Sequence, residues 1–153
     1  MPRLQRVHEH ETDSPSADPP TRVVLANDHP GLRRSFLWLL DDADELDVVG
    51  EATDLEATLR ELVVQSPQVL VLDLRMPDGF SAERIKQLRS GFPRTQIVVT
   101  TMNANEAFAN EAFKAGAVGF VAADSADREL VDAVRRAARG LPYTSPRVRR
   151  AVA

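Results

Sequence analysis

Short apolar runs alternate with helically spaced segments along the chain. Val23-Val24-Leu25-Ala26 is the first run. Asn27-Asp28-His29 follows, and a helical pattern opens at Pro30, a residue suited to a first helical turn. Phe36, Leu39 and Leu40 share one face of that helix, with Leu32 one turn earlier. A second run, Val48-Val49-Gly50, precedes Asp54, which is placed to cap a helix carrying Leu55, Leu59, Leu62 and Val63 until Pro67 stops it. Val69-Leu70-Val71-Leu72 is a third run and leads straight into Asp73. Ser81 then opens a helix with Ala82, Ile85 and Leu88 inward. Ile97-Val98-Val99 is a fourth run, ending at Thr100-Thr101, and the next helix extends from about Asn105 to Gly116, a natural C-cap. Val118–Val121 is the fifth run. The last helix starts near Ser125, buries Leu130, Ala133, Val134, Ala137 and Ala138, and ends at Gly140.

Strand and helix thus alternate five times. The strands are continuous apolar runs, not alternating ones, so both faces of the sheet are covered and the strands lie parallel. The pattern predicts a doubly wound α/β domain over residues 21–140. Residues 1–20 hold four prolines and almost no apolar periodicity, which predicts a disordered leader. His8 and His10 in that leader are expected to be solvated and not metal ligands. Residues 141–153 read as a linker or tail.

Composition narrows the function classes. The chain has no cysteine, which excludes a disulfide framework, a thiol nucleophile and any cysteine-ligated metal. No apolar run approaches the ~20 residues of a membrane span, and the N-terminus is polar, so a cytoplasmic protein is expected. The net charge of −4 is unevenly spread. Seven arginines from Arg128 onward face only Glu129 and Asp132, a local balance of +5 that leaves −9 on residues 1–127. So acidic a body is a poor nucleic-acid binder. Arg147, Arg149 and Arg150 near the C-terminus support only weak, salt-sensitive contact, and a solvated linker is the expectation there.

In open parallel sheets, sites form beyond the carboxyl ends of the strands. Asn27 and Asp28 follow strand one, Asp73 follows strand three, Thr101 ends strand four, and Ala123-Asp124 follow strand five. A carboxylate delivered by a buried strand is costly without a partner. Two carboxylates converging from separate strands can share a hard cation such as Mg2+, and one is then available as a nucleophile toward a phosphoryl group. Singly, Asp28 could be a plain helix N-terminal acid and Asp73 a loop acid. Together with Thr101 they favour a site. A dinucleotide enzyme is disfavoured, because the first strand leads to Asn-Asp-His and not to a glycine-rich loop.

At these residues the chain resembles the CheY-like receiver domain of bacterial two-component response regulators. The resemblance spans about Arg22 to Gly140 and is carried by VVLANDHPG, VVGEA, VLVLDLRMPDG, IVVTTM, AFKAGAVGF and ARGLPYTSP. These look most like the NarL/FixJ subfamily, whose receivers precede a LuxR-type helix-turn-helix. The resemblance implies a (βα)5 flavodoxin-like fold with a five-stranded parallel sheet in the order 2-1-3-4-5. It implies a signalling protein and not an enzyme, with Asp73 as phosphoacceptor. Mg2+ would be held by Asp28, Asp73 and the backbone carbonyl of Arg75, with Asn27 a weak or indirect ligand. Thr101 would hydrogen-bond the phosphoryl oxygens, Phe120 would follow Thr101 as a switch residue, and Pro77 would shape the loop.

Two positions depart from the family pattern. Asn27 stands where an acid is usual, and Ala123 stands where a lysine is usual. Losing one carboxylate and one ammonium together leaves the formal charge of the site unchanged, which suggests a compensated variant with weaker Mg2+ affinity and slower phosphoryl transfer. A sensor histidine kinase is the implied partner, and an atypical, phosphorylation-independent interaction module is the alternative. Trp38 lies off the inward face of the first helix, which suggests a contact surface, and the resemblance implies a homodimer through the first and last helices. In it Arg135, Arg136 and Arg139 would face Asp41 or Asp42 of a second copy. Contact with DNA would come only through a LuxR-type domain, which this sequence does not contain.

Overall fold

A computed structural model describes residues 19–73 and 81–148. The elements are β1 (Thr21–Ala26), α1 (Pro30–Asp42), β2 (Leu46–Ala52), α2 (Leu55–Gln65), β3 (Val69–Asp73), α3 (Ala82–Gly91), β4 (Gln96–Thr101), α4 (Glu106–Ala115), β5 (Gly119–Ala122), α5 (Ala126–Ala138) and β6 (Tyr143–Thr144). A short 3-10 turn, Ala123–Ser125, joins β5 to α5. The strands form one parallel sheet in the order β2-β1-β3-β4-β5-β6.

The sheet is covered on both faces, and each face has its own core. Leu25, Val71, Val98 and Val121 pack with Phe36 and Leu40 of α1 and with Leu130, Ala133, Val134 and Ala137 of α5. On the other face Ala26, Leu72, Val99 and Phe120 pack with Leu62 of α2, Ile85 and Leu88 of α3, and Ala109 and Ala112 of α4. Successive strand residues alternate between these two cores, as the pleat requires. Every residue of β3 is buried, which accounts for its unbroken apolar run.

Local signals place the helices. The Asp54 carboxylate accepts the Ala57 N–H at 2.8 Å and caps α2. Asn105 does the same for α4 through the Phe108 N–H at 3.0 Å. Gly116 ends α4 with φ at +119°, and a Cβ there would lie 2.8 Å from Arg89 Cγ. Ser81 precedes α3 as expected but makes no side-chain cap bond. The inward face of α2 is Thr58 and Leu62, whereas Leu59 and Val63 are exposed. Thr58 turns inward because its hydroxyl donates to the Asp54 carbonyl at 2.7 Å, which satisfies its polar atom.

The expected five-stranded sheet has a sixth strand. After α5 the chain turns back and adds Tyr143–Thr144 beside β5, through Tyr143 N–H to Val118 O and Ser145 N–H to Phe120 O, both 3.0 Å. Ser145 is fully buried. Its hydroxyl accepts the Ala122 N–H at 2.8 Å and donates to the Glu129 carboxylate, itself a buried group on α5. Val148 joins the core around Phe120, and Arg147 pairs with Asp124 at 3.0 Å. Residues 143–148 are therefore an arm packed onto the domain and not a solvated linker. We expect Ser145→Ala to cost about 1–3 kcal/mol, because it strips a buried carboxylate of its donor and a buried N–H of its acceptor. Thermal unfolding of the two proteins measures this.

Candidate phosphoacceptor site

Three strands of the sheet bring the predicted residues to one edge. β1 and β3 are neighbours, with Ala26 paired to Leu72, so Asn27 and Asp73 emerge side by side. Alternation puts both on the face of Leu25 and Val71, the α1/α5 side, where Ala123 also lies. Asp73 is 2% exposed and Asn27 1%, while Asp28 is half-buried. Asp73 pairs in register with Thr100, and Thr101 with Ala122. Thr101 is buried on the opposite face, toward Phe120, and its Oγ1 accepts the Asn103 N–H at 3.0 Å. That bond orients the hydroxyl and leaves its proton available to donate. Phe120 is fully buried, with its ring centroid 6.5 Å from that of Phe113.

Asn27 is held from three directions. Its N–H donates to Ala52 O at 2.9 Å, its carbonyl accepts from Arg33 at 2.9 Å, and its side-chain Oδ1 accepts the His29 N–H at 2.8 Å. Arg33 Nε is in turn 3.4 Å from Glu51 of β2. His29 caps α1 through Nδ1, which accepts the Leu32 N–H at 3.1 Å. The remaining polar atom, Asn27 Nδ2, is buried without a hydrogen-bond partner.

Asp28 and Asp73 are hard oxygen donors from adjoining strand ends, and Mg2+ commonly takes only one or two carboxylates together with water and phosphate. They fit. Asn27 presents a different chemistry: its Oδ1 accepts the His29 N–H at 2.8 Å, and its N–H2 cannot ligate a metal. Among the described residues no three His, Cys, Asp or Glu side chains cluster as a metal site. Arg75 and Pro77 lie outside the described residues, as do His8, His10, Arg149 and Arg150. Lys86 and Lys114 are exposed on α3 and α4. Ala123, 8% exposed, leaves the end of β5 without a cation of its own.

Residues 23–135 match the model of the response regulator receiver domain. The chain belongs to the response regulator receiver family. This receiver is 36% identical over 119 residues to the uncharacterized transcriptional regulatory protein YxjL of Bacillus subtilis, a match covering 78% of this chain and 55% of that protein. It thus spans about half the length of that curated relative. A crystal structure of a LuxR-family two-component response regulator from Aurantimonas sp. SI85-9A1 superposes with a TM-score of 0.80 at 31% identity, covering 86% of this chain and 94% of that one. The isolated receiver domain of RcsB from Salmonella enterica serovar Typhimurium, determined with the phosphomimetic BeF3-, superposes at 0.79 with 30% identity, covering 86% and 97%. The receiver fold and the NarL/LuxR grouping follow from these likenesses together.

The surface expected to face a second copy is partly occupied within the chain. Trp38 is 68% exposed on α1, as its position off the inward face predicts. Arg135, however, binds Glu45 at 2.7 Å and Asp132 at 3.1 Å, and Arg136 donates to Pro142 O at 2.8 Å. Burial raises the Glu45 carboxyl's pKa, but the hydrogen bond and charge of Arg135 outweigh it and hold Glu45 below the usual carboxylate range. Two of the three arginines assigned to a partner's acids are therefore engaged at home. Sequence reasoning missed Glu129 and Ser145. The available signal was a glutamate on the inward stripe of α5, between Ala126 and Leu130.

Proposed function

We propose that this receiver accepts a phosphoryl group on Asp73 and passes the change to its partners through β4, β5 and the C-terminal arm. The observation that carries the reading is Asp73 itself, a carboxylate buried at the carboxyl end of a central strand beside Asn27 and Asp28. A carboxylate oxygen attacks phosphorus. The bond from phosphorus to the leaving group breaks, and the leaving group departs with the electron pair. Asp28 and Asp73, with the Arg75 carbonyl that the family resemblance adds, would hold Mg2+, which would neutralise the phosphoryl charge. Thr101 donates its hydroxyl proton to a phosphoryl oxygen, and Phe120, in contact with the same core as Val148, transmits the displacement to the arm.

The phosphodonor is a sensor histidine kinase, and the receiver acts in the cytoplasm. Among the described residues no helix is long and apolar enough to cross a membrane. A homodimer through α1 and α5 uses Trp38 as its apolar contact. Control of transcription runs through a LuxR-type DNA-binding domain of the kind the ARGLPYTSP segment leads into. Membership of the receiver family favours this reading over a phosphorylation-independent module. The test is intact mass after incubation with a small acyl phosphate and Mg2+. We expect a phosphoryl adduct in the parent and none in Asp73→Asn. An unmodified parent, under conditions that modify an ordinary receiver, overturns the proposal.

A further inference from the structure

We propose that Asn27 is an anion-directed residue: its Nδ2 donates a hydrogen bond to an oxygen of the phosphoryl group carried on Asp73. This rests on the phosphoacceptor reading and adds a specific contact to it. Three observations converge. The β1–β3 register sets Asn27 beside Asp73, and the pleat turns both to the same face of the sheet. The orientation of the amide is fixed, because Oδ1 accepts the His29 N–H at 2.8 Å and the reversed amide would set one donor against another. Finally, Nδ2 is buried and unpartnered in a residue that is 1% exposed. Buried donors are nearly always satisfied in native proteins, so this one awaits an acceptor.

The chemistry of the edge defines that acceptor. Nδ2 itself cannot face a cation, since an amide N–H2 is a donor only. A phosphoryl oxygen on Asp73 is an acceptor that arrives only on modification, and it arrives where no lysine exists to meet it, Ala123 having taken that position. The replacement of an acid by Asn27 thus converts a metal-directed position into a phosphoryl-directed one. Asn27 and Ala123 become one exchange: a neutral donor on β1 takes over part of the task of a cation on β5.

Beryllofluoride with Mg2+ provides a phosphoryl-like probe that needs no turnover. The parent, Asn27→Ala and Asn27→Asp are titrated first with Mg2+ alone and then with beryllofluoride at saturating Mg2+. Calorimetry gives the affinities, and the side-chain amide signals of Asn27 are followed in 15N-labelled parent. We expect the Asn27 signals to shift strongly with beryllofluoride and little with Mg2+ alone. Asn27→Ala should bind Mg2+ within twofold of the parent and beryllofluoride about tenfold more weakly. Asn27→Asp keeps an acceptor for His29, so it should fold like the parent; it should bind Mg2+ more tightly and beryllofluoride more weakly.

Equal losses of Mg2+ and beryllofluoride affinity in Asn27→Ala would make Asn27 a metal ligand and overturn the proposal. So would unchanged affinities together with unmoved amide signals, which would leave Nδ2 facing a buried water. A parent that neither binds beryllofluoride nor forms an adduct would overturn the phosphoacceptor reading itself. A parent that does both, with Asn27→Ala unaffected, overturns only the role of Asn27.

Discussion

Ala123→Lys is expected to accelerate formation of the Asp73 adduct by roughly 10- to 100-fold. Ala123 opens the 3-10 turn after β5 and belongs to the same core face as Leu25 and Val71, the face from which Asn27 and Asp73 emerge. At 8% exposure the position is lined by protein, but a lysine there carries its charge at the end of four methylenes and can extend it toward the open edge. A charge-assisted hydrogen bond to a phosphoryl oxygen contributes about 1.5–3 kcal/mol. At about 1.4 kcal/mol per tenfold in rate, the gain follows if most of that contact is made in the transition state. Ala123→Met adds comparable bulk without charge and separates crowding from electrostatics. Adduct formation is followed by intact mass against time for the three proteins. A lysine variant no faster than the methionine variant would show that phosphoryl oxygens on Asp73 do not approach β5.

The second large effect concerns Phe120. Its ring is fully buried in the core that also holds Val99, Ala112 and Val148, with its centroid 6.5 Å from that of Phe113, and its backbone carbonyl accepts the Ser145 N–H of the arm. Phe120→Ala empties that space. Truncations of this kind cost about 3–5 kcal/mol, because the cavity collapses only in part. For a domain of this size the melting temperature should fall by roughly 10–20 °C. The arm should loosen ahead of the sheet, so amides of residues 143–148 should exchange faster even where β3 stays protected. Phe120→Leu should recover most of the loss. If Phe120→Ala melted within a degree or two of the parent, the link between Phe120 and the arm would be lost with it.

Much of this architecture is legible in the chain alone. VLVLD predicts a strand covered on both faces, and β3 is buried at every residue. Asp54, Asn105 and Gly116 mark helix ends by local chemistry, a carboxylate or amide reaching the first turn and a residue tolerant of positive φ. Those signals operate over three or four residues, so they survive without knowledge of what packs nearby. The face of α2 does not. Leu55, Leu59, Leu62 and Val63 form as good an apolar stripe as the one that is buried, and the helix turns by about one position once Thr58 satisfies its hydroxyl on Asp54.

The C-terminal arm shows the same limit. A two-residue strand has no periodicity to detect; Tyr143–Thr144 pairs with β5, and Ser145 after it is held by Ala122 and Glu129, all more than ten residues away in sequence. The site divides along that line too. That Asp73, Asp28 and Thr101 share one edge follows from their places after apolar runs, because parallel strands deliver their ends there. That Asn27 leaves its Nδ2 unpartnered depended on the His29 N–H holding the amide by its oxygen. The sequence by itself determined the alternating fold, the acidic body and the residues at the functional edge, since these follow from local hydrophobic spacing and charge. Only the tertiary structure decided which helix face is buried, where the arm docks and which way the Asn27 amide points, because each depends on a hydrogen-bond partner supplied by the folded backbone.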